Sequence, residues 1–209
     1  MIDTSTLEAI KTIAPGAKVD VSSIASTLDA NRDKYGINTN SRIRAFLAQA
    51  AHETAGFKTL EEYASGAGYE GRTDLGNTQP GDGRKFKGRG IFQITGRINY
   101  KDVSRHLFGD DRLLNSPHLL EEPVYATLSA MHFWKSHNLN ALADRGDFEG
   151  ITRKINGGLN GWADRLSYYE KMKLFVFNLP KGQMVAAVSG MLILGLMIYY
   201  VYRIAKDNK

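Results

Sequence analysis

The chain has no cysteine among its 209 residues. Disulfide staples, thiolate metal sites and thiol nucleophiles are thereby excluded, and folding is indifferent to the redox state of the compartment. A strong charge of one sign is also missing. The formal charge is +5, but residues 181–209 carry four cations against one carboxylate, and residues 1–180 carry 23 against 21. The body is nearly neutral, so charge gives no ground for a nucleic-acid partner. No leader is visible either: Met1-Ile-Asp-Thr-Ser5 has no basic segment, and no apolar core follows it. The five histidines form no ligand-spaced cluster, and no serine sits in a nucleophile elbow. Neither a metal nor an organic cofactor is expected.

What remains is ordinary globular material, 43% hydrophobic and 23% charged. That suits one domain with a substantial core plus an appendage. Leu7, Ile10 and Ile13 predict a first helix, stopped by Pro15-Gly16. Val21, Ile24, Ala25 and Leu28 predict a second, and Tyr35 to Asn40 a loop. Further helices are predicted over 99–108, 123–136, 147–155 and 163–177, with Pro123 near a first turn. Nine glycines in residues 66–96 argue against regular helix there. Asp82-Gly83 suits a hairpin turn, and Gly90 to Thr95 alternates as a short strand, which predicts a small β-hairpin region. The expected class is α+β, mostly α.

Beyond a domain over 1–177 and a linker over 178–183, residues 184–202 hold nineteen residues without a charge. About twenty apolar residues span a bilayer as a helix. Tyr199, Tyr200 and Tyr202 form an interfacial belt at one end, and a basic tail fills 203–209. A lipid bilayer is thus an expected partner. Ala186 and Gly190 are a small-xxx-small pair that suits helix–helix self-association.

The chemistry centres on Glu53. Ser41 is the expected N-cap of its helix, and Ile43, Phe46, Leu47, Ala50 and Ala51 form one apolar stripe. Glu53 falls at the border of that stripe near Phe46, with His52 pointing away and Gly56 as the stop. Half-desolvation and the negative end of the helix dipole both favour the protonated acid, as a general acid requires. Two other motifs fail on context. Gly66-Ala-Gly-Tyr-Glu-Gly71 matches a dinucleotide-binding pattern but leads into more glycines rather than a helix. His52-Glu53 opens a zincin-like string whose second histidine position is Gly56. His106, His118, His132 and His137 read as surface or core residues.

One combination is specific. Ala51-His-Glu-Thr-Ala-Gly56 is followed nine residues after Glu53 by Glu62, then by Lys87-Gly-Arg-Gly-Ile-Phe-Gln-Ile-Thr-Gly-Arg-Ile-Asn-Tyr100, Lys154-Ile-Asn-Gly-Gly158 and Asp164-Arg-Leu-Ser-Tyr-Tyr169. Over residues 41–175 the chain resembles family 19 glycoside hydrolases, in particular their phage endolysin branch. The plant members' disulfides are absent, and Thr95 stands where many chitinases have serine.

The resemblance implies a lysozyme-like bilobed fold and an inverting acid/base mechanism without cofactor. Glu53 matches the general acid and Glu62 the general base, with Glu61 adjacent and open as its alternative. Thr95 matches the hydroxyl that holds the attacking water. Gln93, Asn99, Tyr100 and Asn156 match substrate-contacting positions, and Arg165 an arginine that tunes the carboxylates. The expected substrate is the glycan strand of peptidoglycan, an anionic polymer that suits a mildly positive protein. The expected setting is a host inner membrane or the internal membrane of a virion. A chitinase and a non-catalytic membrane-anchored wall-binding protein are the alternatives.

Overall fold

The computed structural model describes residues 2–177. The linker 178–183, the apolar stretch 184–202 with its self-association motif, and the basic tail 203–209 lie outside the described residues. Among the described residues, no helix is long and apolar enough to cross a membrane.

Ten α-helices, three short 3-10 helices and one small sheet make up this body: β1 (Ile2–Thr4), α1 (Thr6–Ile13), α2 (Val21–Tyr35), α3 (Asn40–Glu53), α4 (Asp82–Lys85), α5 (Arg97–Phe108), α6 (Arg112–Asn115), α7 (Pro123–Ser136), α8 (Leu139–Asp144), α9 (Phe148–Asn156), α10 (Trp162–Met172) and β2 (Phe175–Phe177). Helix α3 is the axis of the fold. Ala45 to Ala51 are all buried, so the helix is enclosed on every side rather than along one stripe. It packs mainly against α10, while α2 packs against α7. Phe46 on α3 meets Phe92 and Trp134 edge-on at 5.5 and 5.4 Å. That cluster ties the helix to the loop before α5 and to α7. A second apolar cluster of Phe86, Ile94, Tyr100, Val103, Leu113 and Leu120 supports the glycine-rich segment.

The structure corrects several local expectations. Helix α3 is capped by Thr39, whose hydroxyl accepts from Arg42 N–H at 3.3 Å, and not by Ser41. Tyr35 ends α2 and is buried; Gly36, at φ 71°, makes the turn. The last helix stops at Met172, so Leu174 is exposed and Phe177 belongs to β2. The β-hairpin region is reduced to isolated antiparallel bridges. Asp82 and Gly83 open α4, and 90–95 forms no strand: Arg89 makes single antiparallel bridges to Glu61 and Ile94. Gly90 at φ 79° and Gln93 at φ 49° turn the chain into the left-handed region, which interrupts any extended run. The only sheet among the described residues is parallel, with Ile2, Asp3 and Thr4 in register with Phe175, Val176 and Phe177.

Candidate active site

Glu53 is the last residue of α3, and its side chain is 15% exposed. Its Oε1 lies 2.6 Å from Nη2 of Arg165, an ion pair without hydrogen-bond alignment. Arg165 stands in the first turn of α10 and is 1% exposed. A cation so thoroughly desolvated must be paired. Its Nη1 donates to Gln49 Oε1 at 2.5 Å and its Nε to the Asn160 carbonyl at 3.1 Å. Gln49 in turn donates to Thr152 Oγ1 at 2.7 Å. One buried polar chain therefore joins α3, α9 and α10 behind Glu53. Local helix geometry foretells the half-buried carboxyl but not this counter-ion, which comes from 112 residues downstream.

Glu62 lies in the loop after α3. Its Oε2 accepts from the Tyr69 hydroxyl at 3.0 Å, and its Oε1 is buried without a hydrogen-bond partner. Burial first, and the bond to Glu62 second, push the Tyr69 pKa above its usual value, which keeps the hydroxyl a donor. A Cβ at Gly88 would sit 2.9 Å from Glu62 Oε2 and 2.7 Å from Gln93 Oε1. Glu62 and Gln93 thus flank one point that only glycine leaves free. Glu61 turns elsewhere, pairing with Lys87 at 2.9 Å and Arg89 at 3.2 Å.

Gln93, Thr95 and Asn99 form a connected rim. Gln93 Nε2 donates to the Gly90 carbonyl at 2.8 Å, Thr95 Oγ1 to the Gln93 carbonyl at 2.9 Å, and Asn99 Nδ2 to the Thr95 carbonyl at 2.7 Å. All three line a cleft of about 330 Å³, with Ile155 at the end of α9 on another wall. Next to Ile155, Asn156 carries a buried Oδ1 without a hydrogen-bond partner. Glu53, Glu62 and Arg165 are not among the residues lining that cleft.

Tyr100 differs from its expectation. It is fully buried, donates to the Lys87 carbonyl at 2.6 Å and accepts from Arg89 Nη1 at 3.1 Å. Burial drives its pKa up. It braces the segment 87–89 from inside and presents no surface to a substrate. Two histidines read as surface or core residues line the cleft instead. His132 bonds Asp102 at 3.1 Å and stacks on His106 at 3.7 Å; His137 stacks on Phe133 at 3.8 Å. Their only signal in the sequence is the i, i+1, i+4, i+5 spacing of His132, Phe133, Ser136 and His137, which places the first three on one side of α7 and His137 just past its end. Among the described residues, no group of His, Asp and Glu is arranged to hold a metal ion.

Comparison with known proteins places the chain in a family. The glycoside hydrolase family 19 model described as chitinase class I matches residues 17–143. A glycosyl hydrolase family 19 domain-containing protein of Haemophilus influenzae is 27% identical over 183 residues, covering 73% of this chain and 88% of that protein. An endochitinase of Arabidopsis thaliana is 35% identical over 134 residues, 64% of this chain. The match spans less than half of that plant protein, 44%. Chitinase C from Streptomyces griseus superposes over 82% of this chain and 93% of its own with a TM-score of 0.66 at 22% identity. The class IV chitinase of Zea mays does so over 79% and 88% with a TM-score of 0.60 at 23% identity. At those identities the structural likeness establishes the fold, mostly helical and lysozyme-like with few strands.

Proposed function

This chain belongs to glycoside hydrolase family 19, and from that premise we propose that it is a muralytic enzyme, cleaving β-1,4 glycosidic bonds of peptidoglycan strands by inversion while residues 184–202 hold it at a bilayer. As a chitinase-like glycoside hydrolase it needs one carboxyl to protonate the leaving oxygen and one carboxylate to activate water from the opposite face. The observation that carries the assignment is the contrast between two glutamates. Arg165 lies against Oε1 of Glu53, which leaves Oε2 for the proton and compensates the negative charge that appears once the proton is delivered. Glu62 is fixed through Oε2, the oxygen on the Gln93 side of Gly88, by Tyr69 and keeps Oε1 buried and unpartnered. A carboxylate in that state is a base in search of a donor, and water is the donor an inverting mechanism supplies. Thr95 takes part in holding that water, while Gln93, Asn99 and Asn156 contact the sugar chain.

Peptidoglycan is favoured by the likeness to phage endolysins and by the charge-free stretch 184–202, which would bring the enzyme to a cell envelope, either a host inner membrane or a virion's internal membrane. Chitin is the competing substrate, favoured by the names of the plant and bacterial relatives. The test compares the full chain with one ended at Leu179. Both should clear outer-membrane-stripped Gram-negative walls, and only the full chain should float with liposomes. Glu53→Gln should lower clearing by about 10²–10⁴-fold. Turnover of N-acetylglucosamine oligomers without wall clearing would select the chitinase. Clearing undiminished by Glu53→Gln would remove the assignment of the acid.

A further inference from the structure

Two neighbouring residues at the end of α3 are held by two neighbouring residues at the start of α10. Glu53 meets Arg165, and His52 Nδ1 lies 2.6 Å from Asp164 Oδ2. The imidazole lies across Gly161, the residue that caps α10. A Cβ there would fall 2.6 Å from Nε2, so the bare glycine is what admits the ring. The His52 side chain is 22% exposed and that of Asp164 60%. An exposed pair of this kind adds little to stability by itself. Its position gives it another role. Glu53 is the last residue of its helix, and a helix end is where the backbone frays. Arg165 fixes the carboxyl group and, through Gln49, the turn before it, while the outer pair holds the residue next to Glu53.

We propose that His52 and Asp164 are positioning residues for Glu53: the outer pair locks the last turn of α3 onto α10, so that the carboxyl keeps one orientation as its charge changes during proton delivery. The inference rests on the reading of Glu53 as the acid. The His52 ring needs only a hydrogen-bond acceptor at position 164, which an amide oxygen also provides. The conservative variant therefore separates positioning from charge.

The experiment is steady-state kinetics on the full chain with soluble glycan strands or an N-acetylglucosamine hexamer, whichever the parent cleaves. Asp164→Ala should lower kcat by about 10- to 100-fold, the scale of a small misplacement of a reacting group, with KM unchanged. Asp164→Asn should recover most of that loss. An Asp164→Ala variant with the parent's kcat overturns the proposal. So does a loss in Asp164→Ala that Asp164→Asn shares in full. Glu53→Gln, run alongside, keeps the two ideas apart. A silent Glu53→Gln with unimpaired Asp164→Ala sinks the clasp alone, whereas an active Glu53→Gln sinks the assignment of the acid beneath it.

Discussion

Glu61 and Glu62 are adjacent in sequence and opposite in circumstance. Glu61 is committed to Lys87 and Arg89, two cations that also hold the backbone of the glycine-rich segment through Lys87 Nζ to the Glu62 carbonyl and Arg89 Nη1 to the Lys85 carbonyl. Glu62 has a neutral phenol on one oxygen and nothing on the other. The two substitutions should therefore differ in kind. Glu62→Gln should abolish turnover while the melting temperature stays near the parent's. Glu61→Gln should keep kcat within about threefold and lose about 1 kcal/mol of stability, the upper range for a half-exposed pair. Activity and thermal melts on both variants check this, and a dead but stable Glu61→Gln would exchange their roles. At this scale the sequence is legible only through the family pattern. Spacing alone leaves 61 and 62 equivalent, because their difference is made by residues 87, 89 and 69 folding back. The same limit applies to Tyr100, whose aromatic hydroxyl is as suited to a sugar as to the core until Phe86 and Val103 are seen to enclose it.

Elements were readable where a cap or a stripe announces them. Helix α7 runs from Pro123 to Ser136 as its proline and apolar pattern predict, and α9 lies within a residue of its expected limits, with Asp147 accepting from Gly150 N–H as N-cap. At Asp82-Gly83 the geometry is set by a side chain from afar, which local turn chemistry does not show. Asp82, 1% exposed, accepts from Arg97 at Nε and Nη2 and from the Gln79 N–H. That ties the start of α4 to the start of α5, where a hairpin turn was expected. The Arg97 hydrogen bond chiefly holds the Asp82 carboxyl below its usual pKa. A depressed folded-state value means that the stabilisation is complete above the unfolded pKa of about 3.9 and is lost as pH falls through the lower, folded value. Urea unfolding of the parent should weaken below about pH 4. Asp82→Asn should be less stable at pH 7 by about 2–3 kcal/mol, the cost of leaving a partly buried guanidinium without its carboxylate. It should also show a flatter acid limb, and equal acid slopes in the two proteins would contradict this account.

For the molecule as a whole, class and catalytic family were legible because the His-Glu-Thr helix end and the Gly-Arg-Gly-x-x-Gln-x-Thr segment are ordered and spaced as a set. The sheet was not. Its strands are three residues each and 173 positions apart, too short for periodicity and too distant for any local signal. Yet this ladder joins the first described residues to the last, and Arg44 on α3 donates to the Phe175 carbonyl beside it. Deleting residues 1–4 should lower the melting temperature by about 2–4 °C for each kcal/mol lost, while kcat at 25 °C stays at the parent's value. A truncated chain that melts like the parent would make the ladder dispensable.

That ladder is parallel, and this has a mechanical meaning. A force pulling Ile2 one way and Phe177 the other slides the two strands past each other along their length, so the backbone bonds between them are loaded in shear and must fail together rather than unzip one at a time. The weakest-looking element of the fold, three residues against three, is thus the one set across the line along which tension between the ends would travel.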